Sequence, residues 1–300
     1  MIHVTRGYPL FLCRNMMQFK LDDSPISISC PGSTVRHEYR SDVFRIEYPD
    51  VTKDYTLTAS SSGFLASTTV RYGPIIGARS CGRVLCVGDS TVLGTGDAGG
   101  WVKYAGTELG AAVTMVGSIL SGGFQQEGWG GYTFLNFTTG DAGPFRNGGN
   151  WDLGTYETSI GGAPDHVIIS LGINDITNAI GGAVAPATMA TASVVQANAL
   201  LAAFKAQWPS ATYAFMLQPH GGPSVTSWST TYEDFRERSQ YLWEALIADP
   251  TISADATILS THHSVDTNFD YTISDPFHPV STGYVRIGRR IADYLIDLAV

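Results

Sequence analysis

Charge is scarce in this chain. Asp, Glu, Lys and Arg together make up 15% of its 300 residues, against about a quarter in an average globular domain. Lys and Arg are the scarcer pair, 18 against 27 acidic residues, giving a net charge of −9 and a pI near 5.1. No basic stripe is present to neutralise phosphates, so no nucleic-acid partner is expected. An acidic surface is also a poor match for anionic membranes. No apolar run reaches the ~18 residues of a spanning helix, so no membrane span is expected. Near the start, Leu10-Phe11-Leu12-Cys13 is too short and too polar at its flanks to read as a secretion signal. Cysteine is rare as well: Cys13, Cys30, Cys81 and Cys86 all fall in the first third, without the spacing of a zinc site. Cys86 lies in an apolar run, where a free thiol acts as a small apolar side chain. Cys13 and Cys30 flank a possible hairpin, and sequence alone does not decide whether they are bridged.

Glycine (33 residues), serine, threonine and tyrosine are abundant instead, which points to an extracellular or particle-borne protein. The length favours one large domain, or one domain with an appendage. Residues 1–78 contain short β-branched and aromatic segments at 26–29, 43–48, 54–58 and 67–72, separated by Pro31-Gly32 and Ser61-Ser62-Gly63. They carry no helical periodicity. A small all-β accessory domain is expected there, with 73–78 as the hinge into a second domain over 79–300.

From Leu85 onward, strands alternate with helices, the sign of a parallel sheet. Strands are expected at 83–87, 112–117, 166–171, 212–217 and 257–260. Helices are expected over 98–109, 187–208, where Pro209 stops the chain, 233–248, and from Ser281 as N-cap to the end. The expected architecture is a three-layer α/β/α, flavodoxin-like parallel sheet. The stretches 138–162, with Phe145, Trp151 and Tyr156, and 220–232, with Trp228, are expected to be long loops that wall or cover a site.

The chemistry gathers where strands end. Arg83-Val84-Leu85-Cys86-Val87-Gly88-Asp89-Ser90 is a buried-strand pattern that breaks into small polar residues. It places the Ser90 hydroxyl at the carboxyl edge of the sheet, where ligands bind in open α/β folds. Taken alone, Gly88-Asp89-Ser90 also serves as an ordinary turn. After the strand at 166–171 comes Gly172-Ile173-Asn174-Asp175, which either presents an amide to an oxyanion or caps the next segment. Gln126-Glu127-Gly128-Trp129-Gly130-Gly131-Tyr132-Thr133 offers a glycine N–H unobstructed by a Cβ, or a flexible turn. Before the last helix, Asp275-Pro276-Phe277-His278-Pro279 sets a carboxylate three residues ahead of an imidazole in a turn stiffened by prolines. Such a carboxylate can fix the tautomer of His278, or cap a loop beside an exposed histidine.

Together, Ser90, Gly131, Asn174 and Asp275-x-x-His278 resemble, in order and setting, the four blocks of the SGNH (GDSL-like) hydrolase superfamily. The resemblance covers roughly residues 82–300, and Glu127-Gly128-Trp129-Gly130-Gly131-Tyr132-Thr133 is similar to the second block of its carbohydrate acetylesterase branches. It implies Ser90 as nucleophile, His278 as base and Asp275 as its orienting carboxylate. It also implies an oxyanion hole made by the N–H groups of Ser90 and Gly131 and the Asn174 amide. Losing one such donor typically costs about 3–4 kcal/mol. Gly122-Gly123 is a competing source of the glycine. No metal or organic cofactor is implied.

Asp89, Trp129 and His220 are candidate substrate contacts. His262-His263 with Asp266 lacks a third well-spaced metal ligand and reads as a solvated loop. Asn136-Phe137-Thr138 has the form of a glycosylation sequon. The expected function is a serine esterase that removes small acyl groups, acetyl foremost, from a carbohydrate. The alternatives are a lipid esterase or thioesterase of the same superfamily, or a non-catalytic glycan-binding or attachment protein.

Overall fold

The computed structural model describes residues 80–139, 143–219, 222, 232–261, 264–265, 270–272 and 275–298, together with the backbone of six strands between residues 16 and 70. The chain divides into two compact units, Met1–Cys81 with Ala292–Val300 and Gly82–Ile291. In the first, the strands are β1 (Met16–Lys20), β2 (Ser27–Ser29), β3 (Thr34–His37), β4 (Val43–Glu47), β5 (Tyr55–Ser61) and β6 (Phe64–Val70). They pair antiparallel in two sheets, ordered β1-β4-β3 and β2-β5-β6. Cys13 and Cys30 lie outside the described residues.

The second unit follows the alternation of its sequence. β7 (Arg83–Gly88) leads into α1 (Ser90–Leu93) and α2 (Gly100–Leu109). β8 (Thr114–Val116), β9 (Ile119–Ser121), β10 (Phe124–Gly128) and α3 (Phe134–Thr138) come next. A small hairpin, β11 (Arg146–Asn147) and β12 (Asn150–Trp151), precedes α4 (Leu153–Ser159), β13 (His166–Ser170), α5 (Ile173–Gly181) and α6 (Pro186–Gln207). β14 (Thr212–Leu217), α7 (Tyr232–Ala248), α8 (Pro250–Asp255), β15 (Thr257–Ser260) and the part of α9 (Ser281–Leu298) up to Ile291 complete it. Ser281 is the first helical residue rather than the cap, a one-residue difference.

The sheet runs β15-β14-β13-β7-β10-β9, with β8 also paired to β7. All pairs are parallel except β9 with β10, so the sheet is mixed rather than wholly parallel. Two short strands share one edge of β7: β8 pairs with Arg83 to Leu85, and β10 with Val87 and Gly88. Leu85, Val87, Val167, Ile169, Tyr213 and Phe215 join one core cluster with residues of α3 to α8. The alternate residues Val84, Cys86, Ile168, Ala214 and Met216 are buried outside that cluster, as period-two strands between two helical layers require. Cys81 and Cys86 are buried, and burial pushes the Cys86 thiol up.

α6 is long and apolar enough to cross a membrane by length and composition. Here its Met189, Ala190, Val194, Ala197, Leu200, Leu201 and Phe204 face the core. The 138–162 stretch is not a lid: Phe145 and Tyr156 are core residues with rings 4.8 Å apart. Trp151 is half-buried beneath the Arg146 guanidinium. Trp228 lies outside the described residues.

Two glycines set close approaches. A Cβ on Gly288 of α9 would stand 2.6 Å from Tyr104 Cβ and 2.7 Å from the Trp101 carbonyl of α2. A Cβ on Gly88 would run into the Ser170 carbonyl oxygen and the Val92 side chain. Gly88→Ala should therefore lower stability by about 3 kcal/mol through overpacking, read as a fall in the urea midpoint at unchanged slope.

Candidate active site

Polar groups crowd the turn after β7. Asp89 N-caps α1 in an extended conformation, its Oδ1 accepting from Thr91 N at 2.9 Å and Thr91 Oγ1 at 2.8 Å. Ser90, the first residue of α1, is half-buried. Its Oγ lies 2.7 Å from His278 Nε2, across 188 residues of sequence. His278 Nδ1 lies 2.8 Å from Asp275 Oδ2 and 2.9 Å from Oδ1. With a carboxylate on Nδ1, the imidazole keeps its proton there and turns an acceptor lone pair towards the Ser90 hydroxyl.

The turn bearing His278 is braced locally. Asp275 Oδ1 also accepts from Phe277 N at 3.2 Å and His278 N at 3.1 Å, while Asp275 N donates to Thr272 Oγ1 at 3.0 Å. Phe277 is buried against Phe235, ring centroids 5.5 Å apart. Behind the turn, buried Asp270 accepts from Thr282 Oγ1 at 2.7 Å and Arg286 Nη1 at 2.6 Å, and Val280 N donates to its carbonyl at 2.7 Å. Tyr284 OH donates to the Thr95 carbonyl at 3.1 Å, which ties α9 to the chain leaving α1.

On the other flank, Trp129 N donates to Gly88 O at 2.9 Å, so the segment after β10 starts level with the Ser90 turn. Gly122-Gly123 instead form the β9–β10 turn, before the strand rather than after it. Gly131 adopts φ +79°, which only glycine takes without strain. A Cβ there would meet nothing within 4 Å, so conformation and not space calls for glycine. The N–H groups of Ser90 and Gly131 make no hydrogen bond among the described residues. Asn174, in the first turn of α5, donates one amide hydrogen to Tyr132 O at 3.0 Å and has a second to offer.

Against this geometry, residues 86–286 match the GDSL-like Lipase/Acylhydrolase family. The chain belongs to that family. It is a carboxylic ester hydrolase. Among solved structures, the Clostridium thermocellum family 3 carbohydrate esterase is 17% identical at a TM-score of 0.51, covering 73% of this chain and 96% of its own. The native M. smegmatis aryl esterase is 18% identical at a TM-score of 0.50, covering 72% and 99%. Both share the fold, a mostly parallel sheet with helices on its two sides. No curated protein sequence matches the chain.

The hydrolase also relies on residues that its sequence hid. Gln218, directly after β14, is 4% exposed. Its Nε2 lies 3.0 Å from both Asp89 Oδ2 and Thr91 Oγ1, and 3.1–3.2 Å from Ser170 Oγ and O. Its Oε1 accepts from Ile173 N at 3.0 Å. The signal was a lone polar residue closing an apolar strand, in Phe215-Met216-Leu217-Gln218. Attention fell on His220, which lies outside the described residues with His262, His263 and Asp266.

Asp89 has no exposed surface to offer a substrate, and burial holds its carboxyl above the usual range. Trp129 is half-buried, its indole N–H donating to Glu127 Oε2 at 3.0 Å and its ring 5.3 Å from that of Tyr132. Glu127 is fully buried and also accepts from Ser118 and from Tyr156 OH. Burial of Tyr156 itself, with the Glu127 charge beside it, pushes its phenol up. Asn136 of the sequon sits in a capping box with Thr133.

Asp175 accepts from Phe134 N at 3.3 Å and Ser193 Oγ at 3.1 Å. Part of the residue reaches the surface, yet burial of the carboxyl, aided by the Asp89 charge, raises its pKa to about 7. The folded protein thus holds this proton more tightly than the unfolded chain. The resulting stability is fully present below about pH 4 and is lost as pH rises through 7. Asp175→Asn should leave stability near wild type at low pH. Between pH 5 and 8 the variant should gain on wild type by at most about 4 kcal/mol, read from urea titrations. Gln218→Met, which strands the polar groups that share the amide, should cost about 2–4 kcal/mol and lower esterase activity in step.

Proposed function

We propose that this hydrolase removes small acyl groups, acetyl foremost, from a carbohydrate, with Ser90 as nucleophile, His278 as general base and Asp275 orienting it. The observation that carries this reading is the unbroken run of short contacts from Ser90 Oγ through His278 Nε2 and Nδ1 to Asp275. Ser90 Oγ attacks the ester carbonyl as His278 takes its proton, with Asp275 stabilising the imidazolium. The tetrahedral oxyanion accepts from the N–H groups of Ser90 and Gly131 and from the second hydrogen of the Asn174 amide. Collapse expels the sugar alkoxide, which leaves with the His278 proton. Water, deprotonated in turn by His278, then cleaves the acyl-enzyme and releases the acid and free Ser90.

The carbohydrate assignment is supported by the Trp129–Tyr132 pair flanking Gly131, since aromatic faces stack on sugar rings. It is supported too by the Clostridium thermocellum neighbour, a carbohydrate esterase. We assign residues 79–300 to the catalytic domain. Residues 1–78, with their two antiparallel sheets, are taken as an accessory β domain.

The test is hydrolysis of p-nitrophenyl acetate against p-nitrophenyl octanoate, together with acetate release from acetylated glycans. The acetate ester should be the faster, and Ser90→Ala should lose more than about a thousandfold in kcat while staying folded. Preference for octanoate would favour a lipid esterase. Wild-type protein as inert as Ser90→Ala would leave a binding protein.

A further inference from the structure

Gly131 is exposed, and a Cβ there would meet no atom within 4 Å. No side chain of its own anchors this residue, although an oxyanion donor has to be held closely to act. What holds it comes from the residues that follow. Two peptide groups of the same segment are gripped by two consecutive side chains at the start of α5. The Asn174 amide donates to Tyr132 O at 3.0 Å, and the Asp175 carboxylate accepts from Phe134 N at 3.3 Å. The grips have opposite polarity and lie two residues apart, so the segment cannot slide by one residue without losing both.

The clasp is rigid at both ends. Between the two grips, Thr133 N and Oγ1 donate to Asn136 Oδ1 at 2.8 and 2.7 Å, and Asn136 N returns to Thr133 Oγ1 at 3.3 Å. On the other side, Asp175 Oδ1 accepts from Ser193 Oγ, a buried residue of the core helix α6. Phe134 is itself a core residue, its ring 6.2 Å from that of Phe215, and the Asp175 carboxylate adds a polar tie from the 131–134 backbone to α6. Without Asp175, the Asn174 bond to Tyr132 O is the one hydrogen bond left, among the described residues, between α5 and the 131–134 backbone.

We infer that Asp175 is the positioning residue of the oxyanion side, holding the Gly131 peptide in register with Ser90 and Asn174. The inference rests on the roles proposed above for those three residues. Because Asp175 touches neither substrate nor reacting atoms, its loss should weaken transition-state binding while ground-state binding persists.

The experiment compares wild type, Ser90→Ala, Asp175→Ala, Asp175→Asn and Ser193→Ala as full-length proteins on p-nitrophenyl acetate. Diethyl p-nitrophenyl phosphate counts intact sites, since one p-nitrophenolate leaves for each Ser90 Oγ–phosphorus bond formed. Asp175→Ala should still reach full labelling, more slowly. Its kcat per labelled site should fall at least about tenfold, with KM within about twofold of wild type. Asp175→Asn, whose amide oxygen still accepts from Phe134 N, should recover to within about threefold. Where Asp175→Ala does not fold, Ser193→Ala decides, with an expected fall in kcat of about two- to fivefold at unchanged KM. An unchanged kcat per labelled site in either variant, or an Asn variant as impaired as the Ala variant, overturns the inference and leaves the reading of Ser90 intact. Turnover or labelling that survives in Ser90→Ala overturns that reading, and this inference with it.

Discussion

Gln218 Nε2 reaches Asp89, Thr91 and Ser170 while its Oε1 receives Ile173 N, so one buried amide spans the ends of β7, β13 and β14. Each of those strand ends turns polar groups away from water just where the sheet gives way to the site. Two amide hydrogens shared among four acceptors satisfy them together, at the low dielectric that strengthens such bonds. The distance between the Ser90 turn and the first turn of α5 is thus set by a side chain that touches neither Ser90 nor Asn174. Gly88 reinforces the same spacing from the backbone side, since β13 lies too close to admit even a methyl group.

A second long-range constraint delivers His278. Its turn holds itself together through Asp275, but its place over Ser90 depends on where α9 begins. Gly288 lets α9 settle directly against α2, the helix that follows the Ser90 turn. Asp270 gathers Val280, Thr282 and Arg286 at its start, and Tyr284 reaches back to Thr95. Residues 188 positions apart are in contact because the helices behind them are.

Much of this was legible in the chain. β7, β13, β14 and β15 announce themselves as apolar runs, α6 ends at Pro209, and Ser90, Asn174, Asp275 and His278 occupy strand-to-helix turns as expected. β10 was not legible, because Phe124-Gln125-Gln126-Glu127 reads as polar. Gln126 and Glu127 are nevertheless fully buried, Glu127 with Ser118, Trp129 and Tyr156 as partners. The glycine-rich 138–162 stretch suggested a lid for a similar reason: two of its aromatics, Phe145 and Tyr156, are core residues set among turn formers. Gln218 has no local signal and Asp175 reads only as part of a helix cap, because a motif records near neighbours while Gln218 reaches Ile173 and Asp175 reaches Phe134, each more than 40 residues away.

The division of one edge of β7 between β8 and β10 has a mechanical consequence. The wall carrying Trp129 and Gly131 joins β7 through only two register pairs, Glu127 with Val87 and Gly128 with Gly88. Ser90 follows a strand paired along its opposite edge, from Val84 to Gly88, with β13. The molecule is built like a vice with one cast jaw and one bolted jaw. The bolted jaw can be reshaped to fit a different alcohol while the cast one, with its hydroxyl, stays where it is.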